Sequence, residues 1–320
     1  MTEPGFWRSQ QDTVKSIFTI IDDNIGQMLV RHPSSLPDLR TASTIVIASD
    51  YGGEHPAAKY QVLSFLLADI GKCQEWDRAR QKLRAELLGD KRRLLFKRLG
   101  HRQKQRALKL FLQAADSIPG LAFTVAIDLS IESLFAGSAP LDLDNPDFAA
   151  FKTWKHTTLE KAFRAIHFIS FLLAGLSTPG QNVLWFTDKD AIAANPDRLR
   201  QLTNLFAWIS SSYLTFNLGH LRCGTTQSDD GSMRIEDLVA IPDLIAGAIG
   251  EQLQLVRSVG PDMSSSVFWL HRGDFSTKTS FITWWLADTT KPLKRVFCLV
   301  DPVPDSTDLT VSWFHFHNQT

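Results

Sequence analysis

The stretch Ser43-Thr-Ile-Val-Ile-Ala-Ser-Asp50-Tyr51-Gly52-Gly53 decides the fold class. Four β-branched residues in a row, Thr44 to Ile47, favour a pleated backbone and a buried position. The run closes on an acid and then on two glycines, which predicts a buried strand opening into a glycine turn. The same design returns twice. Leu121 to Ile127 closes on Asp128, and Asn182-Val-Leu-Trp-Phe-Thr187 runs directly into Asp188. Strands of one sheet deliver their ends to a common edge, so acids far apart in sequence can converge.

Outward from this stretch, Tyr60 to Leu67 predicts a second strand, antiparallel to the first. Helices are predicted over 72–88, 102–117, 153–175, 197–210 and 235–256, with short strands over Leu94–Phe96 and Tyr213–Leu221. Alternating helices and strands across 43–256 predict a mixed α/β sheet. A helix over 9–30 precedes it, followed by the proline-punctuated His32–Asp38. After it, Val267–His271, Phe281–Ala287, Arg295–Val300 and Thr310–Phe316 all read as strands. The expected organisation is a helix and linker over 1–40, a central domain over 41–258 and an aromatic, β-rich extension over 259–320.

The 320 residues carry 34 Lys and Arg against 34 Asp and Glu, with 44% hydrophobic residues, a globular composition that argues against disorder. Three scattered cysteines make no disulfide framework. The first residues lack a signal-peptide pattern, and the longest apolar run, Ala165 to Leu176, is too short to span a bilayer. The expectation is a cytoplasmic protein with no membrane partner. No P-loop or G-x-G-x-x-G motif supports nucleotide binding, and His220-Leu-Arg-Cys223 lacks the second pair a zinc site needs.

The acids carry the chemistry. Asp243, in Ile241-Pro242-Asp243-Leu244-Ile245-Ala246-Gly247, adds a carboxylate from a late helix to Asp50, Asp128 and Asp188. Converging carboxylates repel unless a cation neutralises them, and hard oxygen ligands suit Mg²⁺ or Mn²⁺. Two such ions can activate water and stabilise the leaving oxygen of a phosphodiester.

The opening Ala48-Ser49-Asp50-Tyr51-Gly52-Gly53, the middle Trp185-Phe186-Thr187-Asp188 and the closing Ile241-to-Gly247 helix resemble the RNase H-like superfamily. Within it they are most similar to an uncharacterised bacterial domain family that opens with a strand ending in Asp-Glu-Ser-Gly and closes with a helix bearing Ala-Asp-Leu. The resemblance covers about residues 43–256. It implies an RNase H-like fold and metal-dependent phosphodiester chemistry, with Asp50, Asp188 and Asp243 as catalytic metal ligands and Asp128 or Glu54 as auxiliaries. Two departures stand out. Tyr51 occupies the place of the family's glutamate, and Pro242 precedes Asp243. If the helix runs on through Pro242, Glu236 shares a face with Asp243 and becomes a reserve ligand; if Pro242 restarts the helix, that alignment is lost.

Residues 72–109 hold fourteen Lys and Arg against four acids, a formal +10. Such density draws phosphate backbones. Arg92, Arg93, Lys97, Arg98, Arg102, Lys104 and Arg106 are the expected nucleic-acid contacts; a solvated helix face or a surface for an acidic protein is the alternative. The late aromatics, among them Trp269, Phe275, Phe281, Trp284, Trp285, Phe297, Trp313, Phe314 and Phe316, suit a small core, an interface with a protein partner or second copy, or base stacking. Two functions follow: a Mg²⁺- or Mn²⁺-dependent nuclease acting on DNA or RNA, or a catalytically degenerate scaffold that binds nucleic acid or a protein, as in a mobile-element or phage-defence system.

Overall fold

The computed structural model describes residues 7–9, 17–53, 55–89, 91–100, 102–135, 148–259, 267–269 and 276–317. In chain order the elements begin with α1 (Ile17–Arg31), β1 (Thr44–Gly52), β2 (Tyr60–Asp69), α2 (Gln74–Leu87), α3 (Arg102–Ala115) and β3 (Gly120–Asp128). They continue with α4 (His156–Leu176), β4 (Asn182–Thr187), α5 (Pro196–Tyr213), β5 (Leu221–Thr225) and α6 (Arg234–Val259). The last are β6 (Val267–Trp269), α7 (Thr277–Leu286), β7 (Leu293–Pro302), β8 (Leu309–Trp313) and β9 (His315–His317).

The expected strand over 43–50 is the hub of a seven-stranded sheet of order β5-β4-β1-β2-β3-β7-β8. β1, β2 and β3 form an antiparallel meander, while β4 lies parallel to β1 and β5 parallel to β4. A meander flanked by two parallel strands on its first member is the RNase H-like arrangement, and the fold is α/β of that kind. At the far edge β7 joins β3 in parallel and β8 pairs antiparallel with β7, so the C-terminal residues widen the same sheet. β6 and β9 form a separate parallel pair.

Alternation along β1 divides the interior in two. Ile45 and Ile47 face a core built with α1, α4 and α5, while Val46 and Ala48 face one built with α2, α3, α6 and α7. Covered on both sides, β2 is buried along nearly its whole length. Among the described residues α6 is long and apolar enough to cross a membrane, and 67% of its apolar window is buried inside the molecule. It runs unbroken through Pro242, which removes one helical N–H and its bond toward Leu238.

Three predicted elements differ. Leu94–Phe96 is not a strand: the chain passes through extended Leu95 into a single turn over Phe96–Arg98. Tyr213 ends α5, where its hydroxyl meets His167 of α4 at 2.7 Å, and the strand begins only at Leu221. Phe281–Ala287, although rich in strand-favouring residues, lies in α7. Ser276 caps that helix by accepting from the Thr279 N–H, and Ile282, Trp285 and Leu286 bury one side of it. Tertiary packing outweighed β-propensity there. Trp285, Phe297 and Phe314 belong to the main core, with Phe297 stacked on Phe314, whereas Phe281 and Trp284 are exposed. Phe275 lies outside the described residues.

Candidate functional site

Asp50 leaves β1 on the α6 side of the sheet, two residues before Gly52. A side chain at Gly52 would sit 3.2 Å from the carbonyl oxygen of Ala246, so strand and helix are nearly in contact there. Ala246 stands one helical turn beyond Asp243, and this close approach brings the two acids together. Their carboxyl groups share a hydrogen bond. The other donors are main-chain: Asp50 accepts from the Tyr51 N–H at 2.6 Å, and Asp243 from the Phe96 N–H at 2.6 Å. Burial pushes the Asp50 carboxyl well above the usual carboxylate range, and the charges of Asp243 and then Asp188 push the same way. Asp243 is also raised, by burial first, against the pull of the Phe96 N–H and the Asp50 hydrogen bond. Two acids so placed hold one proton between them unless a cation takes its place.

Asp188 follows β4, and the pairing of Ser49 with Thr187 sets it level with Asp50 on the neighbouring strand. It accepts from Arg93 Nη2 at 2.9 Å, the Lys189 N–H at 2.8 Å and the Thr226 hydroxyl at 3.0 Å. Burial works to raise its pKa, but Arg93 and the other donors hold it below the usual range. The same guanidinium forms an ion pair through Nε with Glu236. Thus α6 carries both Asp243 and Glu236 to the site, as continuity through Pro242 requires. The acids fall into two pairs, Asp50 with Asp243 and Asp188 with Glu236 across Arg93. Among the described residues no group of three or more His, Cys, Asp or Glu stands close enough to hold a metal ion. The fit to a divalent cation is that of the Asp50–Asp243 pair, whose hard oxygen donors face each other.

Of the remaining expected acids, Asp128 is not drawn in. Asp128 bonds the Ser130 N–H and hydroxyl in its own turn. Register sets Thr124 level with Asp50 and Asp128 four residues beyond, roughly 16 Å away by standard strand spacings. Glu54 lies outside the described residues. Tyr51 points to the opposite face, where its hydroxyl bonds Ser49 and its ring lies 4.4 Å from the Lys161 ammonium. Lys161 is in turn paired with Asp190 at 2.6 Å.

The basic stretch divides in the same way. Arg92, Lys97, Arg98, Arg102 and Arg106 are exposed. Lys104 is buried, its ammonium bonded to the Arg93 carbonyl at 3.0 Å, and Arg93 is half-buried in its ion pairs, so neither is a surface contact. Residues 91–98 form a strap across α6. Leu94 and Phe96 anchor it, and Phe96 occupies the space that any side chain at Gly247 would need. The strap brings the Lys97 charge within reach of Asp243. Sequence reasoning missed the pairing of Arg80 and Arg84 with Asp237, and that of Arg93 with Glu236. A signal for the first existed: Trp76, Arg80, Leu83 and Arg84 fall on one helical stripe with the apolar residues.

Neither a family model nor a curated protein matches the chain. Among solved structures it is similar to the ribonuclease H2 from Pyrococcus horikoshii OT3, at 13% identity and a TM-score of 0.34, over 76% of this chain and 85% of that one. A likeness so loose adds nothing to what strand order already establishes about the fold.

Proposed function

We propose that the chain is a divalent-metal-dependent nuclease acting on the phosphodiester backbone of DNA or RNA. The observation that carries this reading is the Asp50–Asp243 pair, two carboxyls facing each other beside a basic strap. Asp50 and Asp243 would hold the cation, and Asp188 keeps Arg93 beside them. A bound Mg²⁺ or Mn²⁺ supplies a water activated for attack and charge stabilisation for the leaving oxygen. The Phe96 N–H fixes the Asp243 carboxylate, so movement of the strap and orientation of this ligand are linked. Arg92, Lys97, Arg98, Arg102 and Arg106 seat the phosphates, a sequence-independent attraction that weakens with salt. No side chain need act as nucleophile.

The test incubates purified protein with labelled single- and double-stranded DNA and RNA in Mn²⁺, Mg²⁺ or EDTA. Cutting is expected with metal and lost in Asp50→Asn and Asp243→Asn. Cutting that persists in either variant overturns the assignment. Salt-sensitive binding with no cutting under any metal points instead to the non-catalytic scaffold.

A further inference from the structure

We infer that Arg93 is a resident cation of this site: it fills the place between Asp188 and Glu236 and limits the protein to a single divalent ion, at Asp50 and Asp243. The inference rests on the metal-dependent reading above and adds a stoichiometry to it. The Arg93 guanidinium reaches Asp188 through Nη2 at 2.9 Å and Glu236 through Nε, with Thr226 at 3.5 Å from Nη2. It is not a wandering surface side chain. The Arg92 carbonyl is held by Arg84 at 3.2 Å, the Arg93 carbonyl by Lys104 at 3.0 Å, and the Phe96 N–H by Asp243. Leu94 and Phe96 are buried on either side of the segment that follows. A backbone pinned at three successive points delivers the guanidinium to one place.

Charge and chemistry set the consequence. Arginine stays protonated at any working pH, so this cation cannot be titrated away as a lysine or histidine could. With it present, Asp188 Oδ1 accepts from Arg93, Lys189 and Thr226 together, and Glu236 Oε2 faces Arg93. A second divalent ion there would meet a fixed positive charge lying between two carboxylates, each with one oxygen already turned to that cation. The Asp50–Asp243 pair has no such guest, and one divalent ion matches its two negative charges. Removing Arg93 returns two carboxylates to the site.

The experiment counts Mn²⁺ bound to the full chain by isothermal titration and equilibrium dialysis. Wild type and Arg93→Lys are expected to bind one ion, and Arg93→Gln two. Asp188→Asn is expected to keep one ion within about threefold of wild-type affinity, and Asp243→Asn to weaken it by more than tenfold. Two ions in the wild type, or one in a folded Arg93→Gln, overturns the role of Arg93 and leaves the nuclease reading standing. Loss of the single ion in Asp188→Asn does the same, and it decides the matter even if Arg93→Gln fails to fold. No Mn²⁺ bound by any form removes the metal-dependent reading, and the inference falls with it.

Discussion

Asp237, buried, and Asp243, partly buried, lie on one helix, and the chain treats them in opposite ways. Asp237 meets two guanidinium groups from α2: Arg84 grips both carboxylate oxygens, with Nε at 2.6 Å, and Arg80 stands at 3.5 Å. Asp243 meets another carboxyl. Burial raises the pKa of both, but the arginines oppose it at Asp237, whereas at Asp243 the facing side chain is itself an acid. An acid whose counter-charge comes from within the fold is part of the scaffold. One that faces its own kind is left to a proton or to something brought from outside. The basic stretch 72–109 serves both ends of the comparison, neutralising Asp237 through Arg80 and Arg84 and bordering Asp243 through Phe96 and Lys97.

The largest effect that sharpens this contrast is on cutting. Asp243→Asn should lower the metal-dependent rate by roughly 10³-fold, the loss of about 4 kcal/mol of transition-state stabilisation. Asp237→Asn, measured at a temperature where it remains folded, should cut within a few-fold of wild type. Equal losses in the two variants would erase the distinction.

On stability the order reverses. Asp237→Asn leaves buried Arg84 without its carboxylate, while Arg80 keeps Asp77 and the Ser232 carbonyl, and should cost about 3–5 kcal/mol in urea unfolding. Asp243→Asn in EDTA should cost under about 1 kcal/mol, because it relieves a crowded acid pair. A larger loss at Asp243 than at Asp237 would make Asp243 a structural acid as well.

A smaller effect is the pH dependence of that stability. The folded-state pKa values of Asp50 and Asp243 are raised, so their contribution is fully present below the unfolded value near 3.8. It is lost as pH rises through the folded values. In EDTA, wild type should therefore lose stability relative to Asp243→Asn as pH climbs from about 4 toward neutrality. His167, whose pKa burial lowers to about 4, contributes the opposite slope to both proteins and cancels in the difference. A flat difference across that range would mean that the pair holds no proton.

Much of this was legible in the chain. The strand ending at Asp50, the strand before Asp188 and the helix around Asp243 each announce themselves by period and punctuation, and sheet geometry predicts that their ends converge. Small residues helped: Gly52 and Gly247 mark where the strand end and Phe96 press against α6. What could not be read was pairing across distance. Nothing near Arg93 points to Glu236, 143 positions on, and nothing near Leu293 says that this strand joins β3. Asp128 entered as an auxiliary to Asp50 because a strand-end acid reads alike whether it caps its own turn or meets a neighbour. Charge density misled in a related way. Fourteen basic residues read as one surface, yet Arg80, Arg84 and Lys104 are buried and Arg93 is half-buried in ion pairs with acids of the fold.

That division of the basic stretch gives the smallest effect and the finest test of the comparison. If exposed cations meet phosphate and buried ones hold the strap, the two groups must respond differently to salt. Each phosphate contact removed should lower the slope of log affinity against log salt by about one for duplex DNA. Arg98→Gln combined with Arg106→Gln should therefore flatten the slope by about two and weaken binding at low salt, while the melting temperature stays within a degree or two. Lys104→Gln should do the reverse. Its ammonium touches the Arg93 carbonyl rather than solvent, so its loss should lower the melting temperature and leave the slope unchanged. Binding measured by fluorescence anisotropy across a salt series, beside thermal unfolding of the same preparations, separates the two. A salt slope that falls as much for Lys104→Gln as for Arg98→Gln would show that the buried and exposed cations act as one field, and the distinction between compensated and uncompensated charge would not extend from the acids to the bases.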